Sequence, residues 1–92
     1  AAGNEGNFPG TLDAIGTVSG VYIVGAWNPI DGRIASFTSL PAPGQTPITF
    51  LGVGYLAWTY LPNMSMIYQY VKSVMPYLVV RGNIVLLSGT SI

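Results

Sequence analysis

From Ile34 to Val71 the chain carries no charged side chain. The gap spans the middle of a 92-residue protein whose only acidic and basic residues are Glu5, Asp13, Asp31, Arg33, Lys72 and Arg81. A soluble monomer gives about 25–35% of its surface to Lys, Arg, Asp and Glu. Here charged residues are 7% of the chain. So small a chain also keeps much of its area outside any core of its own. Most of the outer surface must therefore be apolar or neutral. Such a surface needs a cover, either lipid or further copies of the chain.

The same composition narrows the chemistry. The chain has no Cys and no His. Disulfides, the usual transition-metal ligands, the usual general base and the usual activator of a nucleophile are all missing. No catalytic activity, cofactor or metal is expected. Net charge is zero, so long-range steering towards nucleic acid is not expected from one subunit. Nothing brings two of the three carboxylates together as an acid–base pair. Gly52-x-Gly54 lacks the further glycine and the Lys-Ser/Thr of a phosphate loop, and reads as a site of tight packing. The small residues Ala1-Ala2-Gly3 fit an N-terminus left by export processing, and equally a trimmed one.

Residues 1–92 read as one structural subunit. Residues 1–10, rich in Gly and Asn, form a flexible arm unless a neighbour holds them. From Thr11, a possible N-cap, Leu12, Ile15, Val18, Tyr22 and Ala26 recur at helical spacing. Gly16-x-x-x-Gly20 would let a second backbone approach that helix closely. A strand competes over 18–27, because Val21-Tyr-Ile-Val is β-prone and the glycines weaken a helix. Asn28-Pro29-Ile30-Asp31-Gly32 is either a hairpin turn or a helix restart with Asn28 as N-cap and Pro29 at its first position. The Pro-rich stretch 40–47 is a connector where the chain reverses.

Ile48–Leu61 is uniformly apolar or neutral, and periodicity cannot assign it to helix or strand. Residues 63–80 give the clearest helical pattern. Asn63 is the candidate cap, and Met64, Ile67, Tyr68, Val71, Val74, Met75 and Leu78 make one stripe. Pro76 kinks or restarts that helix. Ile84–Leu87 either extends it or adds an edge strand. Neither apolar stretch is a clean membrane span, since about 20 apolar residues are needed and Gln69, Lys72 and Pro76 interrupt the second. Lipid is therefore the poorer cover and self-association the better one.

Two further features bear on function. Lys72, Arg81 and Arg33 are the only cations. Repeated along a polymer, they would gather enough charge to hold nucleic-acid phosphates. The plain alternative is that each pairs with an acid or caps a helix, and Arg33 has Asp31 close by in sequence. Asn63-Met64-Ser65 is a glycosylation sequon in an exported chain, or simply a helix cap.

The expected architecture is all-α, a hairpin of two long kinked helices over about 11–39 and 57–87. The Pro-rich loop and a short extended segment (about 41–56) join them. This layout, with its hydrophobicity and processed-looking N-terminus, resembles the major capsid protein of rod-shaped, clavavirus-type viruses of hyperthermophilic archaea. The resemblance implies a helical coat around double-stranded DNA in a virion, with DNA met through a few basic side chains and a glycosylated exterior. Two alternatives stand beside it. One is a β-rich extracellular fibre or sheath subunit with strands over 18–27, 33–40 and 48–60. The other is a small pore-forming membrane protein.

Overall fold

A computed structural model describes residues 1–14 and 18–92. Among the described residues its regular elements include six short strands, one α-helix and the 3-10 turn Pro76–Leu78. The all-α expectation is therefore corrected: among the described residues there is no α-helix over 11–39, and the helix expected over 57–87 shrinks to nine residues. The contacts divide the chain into two compact units, residues 1–55 with 89–92, and residues 56–88.

The first unit is built on a three-stranded sheet in the order β2-β1-β3, with β1 at Val24–Asn28, β2 at Arg33–Ile34 and β3 at Phe50–Val53. The Asn28–Gly32 stretch takes the turn and not the helix restart. The Asn28 side-chain oxygen accepts from the backbone N–H groups of Ile30 (3.0 Å) and Asp31 (3.2 Å). The Gly32 N–H closes the turn on the Asn28 carbonyl at 2.9 Å. Gly32 sits at φ +67°, a conformation glycine adopts without steric cost. β2 thus pairs antiparallel with β1, and β3 pairs parallel to β1 on its other side.

The interior of this unit is small and hydroxyl-rich. Its fully buried residues include Ala2, Ile23, Ala26, Ala35, Thr38 and Ser39. The Thr38 hydroxyl oxygen accepts from the Ala26 N–H at 3.1 Å. The N-terminal residues are stitched in. Ala2 N–H donates to Val24 O (2.9 Å), Ser39 N–H donates to Gly3 O (2.9 Å), and Gly3 N–H donates to the Thr90 hydroxyl (3.0 Å). Residues expected as a free arm therefore complete a core that has few large side chains of its own.

The second unit is a helix laid on a sheet of order β4-β6-β5, with β4 at Ala57–Tyr60, β5 at Val79–Arg81 and β6 at Ile84–Leu87, all antiparallel. Helix α1 runs Met66–Val74. Its cap is Ser65, whose hydroxyl accepts from the Tyr68 N–H at 3.0 Å, not Asn63. After Met75 the chain leaves helical geometry, and Pro76 opens the 3-10 turn 76–78. Tyr68, Val71 and Val85 form the buried core, with Leu61, Met75, Leu78, Val79 and Leu87 packed around them. Burying an aliphatic side chain of this size contributes about 1.5–3 kcal/mol. Residues 82–83 make the β5–β6 turn, with Gly82 at φ +53°.

Candidate self-association surfaces

In the second unit the pleat decides what faces outwards. β4 and β6 pair Ala57 with Leu87, Trp58 with Leu86, Thr59 with Val85 and Tyr60 with Ile84. Alternate residues of a strand point to opposite faces. Val85 and Leu87 pack in the core beneath α1, so Trp58, Tyr60, Ile84 and Leu86 share the other face. Trp58 is 76% and Tyr60 65% exposed. Two neighbouring aromatic side chains are thus displayed on one sheet face, where their rings bring large apolar area and their N–H and O–H groups can still reach water.

The helix adds a second apolar surface. The stripe expected over 63–80 divides in two. Tyr68 and Val71 are buried and Met75 and Leu78 pack against them, whereas Met64, Ile67 and Val74 are exposed. Met66 and Tyr70 are exposed as well. Helix α1 is therefore apolar on more of its circumference than its own unit covers, which is the pattern of an element with neighbours on two sides.

In the first unit every residue of β3 is exposed, including Phe50, Leu51 and Val53. The Phe50 ring meets Tyr22 edge-on, with centroids 5.7 Å apart. Beside β3 lies an open groove of about 570 Å³ lined by Ile34, Leu40, Pro41, Ile48, Thr49, Phe50 and Leu51. Its lining contains no charged residue.

The residues singled out from sequence are scattered over these surfaces. Gly16 lies outside the described residues. Gly20 is in a turn at φ +86°, and a Cβ there would meet nothing within 4 Å. It is therefore not a close-packing position on a helix face, and its backbone angle accounts for the glycine. The close approaches fall elsewhere. A Cβ on Gly54 would sit 2.6 Å from the Gly89 carbonyl oxygen, and one on Gly25 2.9 Å from Thr38 Cγ2.

Arg33 is exposed at the start of β2 and Arg81 exposed at the end of β5. Lys72 is in the last turn of α1, where a cation suits the helix dipole, with Nζ 5.8 Å from the Tyr68 ring centroid. Among the described residues no ion pair forms, and the Asp31 carboxylate accepts from the Asn28 amide instead of pairing with Arg33. Asn63 is exposed, and its side-chain oxygen accepts from the Asn83 amide at 2.6 Å. No group of three metal-binding side chains occurs among the described residues. No helix among them is long and apolar enough to cross a membrane.

Compared with protein-family models, curated proteins and solved structures, the chain matches none.

Proposed function

We propose that this chain is a structural subunit whose exposed apolar surface is covered by further copies of itself, in an extracellular fibre or sheath. The observation that supports this reading most is the outward sheet face of Trp58 and Tyr60, together with a fully exposed, uncharged β3. Exposed apolar patches of this kind are sites of association. Two short sheets whose strands leave backbone groups at their edges suit assembly by sheet extension.

The coat-protein resemblance rests on a two-helix layout that the fold does not have, so the β-rich alternative is the better supported of the two. A coat around double-stranded DNA would still need cations free to meet phosphate, and Arg33, Lys72 and Arg81 are exposed. Nuclease-protected absorbance at 260 nm in purified material would bring that reading back. For the fibre reading, electron microscopy of detergent-free protein should show filaments or extended sheets that carry no nucleic acid. Discrete particles of a few subunits would contradict it.

A further inference from the structure

The two sheets have four edges between them, and the two kinds of edge differ. β2 is two residues long and begins with Arg33. β5 ends in Arg81 and carries a register shift between Val79 and Arg81. Shortness, a cation and a bulge are the devices by which proteins keep an edge from pairing with another chain. The opposite edges, β3 and β4, have none of them. Phe50–Val53 and Ala57–Tyr60 are regular, uncharged and free of proline. Two of the three cations thus stand on the two edges that are also short or irregular.

The backbone groups at the open edges can be assigned. Phe50 and Gly54 donate to Ile23 and Trp27 on the β1 side. By alternation, Leu51 and Val53 turn their N–H and C=O groups to the open edge of β3. In β4, Leu61 donates to Asn83 on the β6 side. Thr59 and Ala57 follow it, which leaves the backbone groups of Trp58 and Tyr60 on the open edge.

We infer that copies of this chain join edge to edge, β3 with β3 and β4 with β4 of second copies, while Arg33 and Arg81 close the remaining edges. The inference rests on the self-associating reading above and names its contacts. The occupant must be an extended, uncharged segment with free backbone donors and acceptors, and each copy presents such strands. With β2 and β5 closed, an open edge has only another open edge to meet. A like-with-like contact is two-fold and closes on itself. Two different two-fold contacts on one subunit nevertheless propagate, because each copy joined through β3 still offers β4. The product is a filament of one subunit type with no head-to-tail contact.

Proline at Val53 or Trp58 removes an open-edge donor without removing a donor to the neighbouring strand. The samples are compared in a mild non-ionic detergent that coats apolar faces, with mass read by sedimentation and folding by circular dichroism. Wild type should remain polymeric, Val53→Pro and Trp58→Pro should each give dimers, and the double variant should give monomers. Val53→Lys and Trp58→Lys, which keep the backbone donor and place a charge on the same edge, should repeat the series if a proline variant unfolds. Monomers from either single variant would overturn like-with-like pairing, because β3 would then need β4 as its partner. Polymers from the double variant, or detergent-dispersed wild type, would overturn edge contacts altogether. Wild type that is monomeric without detergent would instead sink the self-associating reading itself. Removing both guards, Arg33→Thr with Arg81→Thr, should broaden the filaments into sheets. Unchanged width would show that the arginines guard nothing.

Discussion

The two units reach stability by different routes. In residues 56–88 a helix covers one sheet face, and Tyr68, Val71 and Val85 supply an apolar core in the ordinary way. Residues 1–55 with 89–92 bury mainly Ala, Gly, Thr and Ser, and close their interior with hydrogen bonds such as Thr38 to Ala26 and Thr90 to Asn4. Of the large side chains of that unit Ile23 is buried, whereas Phe8, Tyr22, Ile30, Phe50 and Leu51 are outside. A core of small residues has little apolar area to contribute, so exact fit and satisfied polar groups decide whether it holds. It also frees the large side chains for contact with other molecules.

Four substitutions test whether the two units are held in these different ways. Gly54→Ala should have the largest effect, because its Cβ would meet the Gly89 carbonyl oxygen and the Ala26 Cβ at 2.6 and 2.7 Å. A cost of about 3 kcal/mol or more is expected for overpacking against backbone. Hydrogen exchange should rise at Ala26 and Ala35 amides well before Val71 and Met75 respond. Equal loosening of both sets would show one shared core. Val85→Ala removes a fully buried side chain from the second unit. About 2 kcal/mol is expected from lost burial and the cavity left behind, and a denaturant midpoint measures it.

Thr38→Val keeps the shape and leaves the Ala26 N–H without its partner, at about 1–2 kcal/mol. A neutral result would mean that the hydroxyl network contributes nothing and that the first unit is held by fit alone. Ser65→Ala removes the α1 cap, for about 1 kcal/mol. Its effect should be confined to exchange of the Tyr68 and Gln69 amides.

How much of this was legible in the sequence differs along the chain. The helix over 63–80 was visible because its stripe has real periodicity, but its length was not. Pro62 and Asn63 drew the cap two residues too early, and Ser65 is the residue that caps. In the first third, Leu12, Val18, Tyr22 and Ala26 mimic a helical stripe by coincidence. The β-prone Val21–Val24 pointed to a strand, although only Val24 of the four lies in β1, which starts later than the strand expected from residue 18. Gly20 needs a positive φ and Gly25 a close neighbour, so both glycines have reasons that lie outside any helix. Ile48–Leu61 was undecidable by period because β3 is exposed yet apolar on both faces and β4 carries Trp58 and Tyr60 on its outward face, so neither strand alternates apolar with charged residues. The Gly82-Asn83 pair between two apolar runs is a hairpin signal, and the structure places it at the β5–β6 turn. Of the surfaces, the charge-free stretch foretold that the outside would be apolar, whereas the distinction between open and guarded edges exists only once the strands are paired.

The central claim is that the exposed aromatic and aliphatic side chains are covered by other copies of the chain. Sedimentation velocity of detergent-free protein at neutral pH tests it most directly. Assemblies many times the 9.7 kDa subunit mass, persisting on dilution, are the expected result. A monodisperse species at the subunit mass would contradict the account.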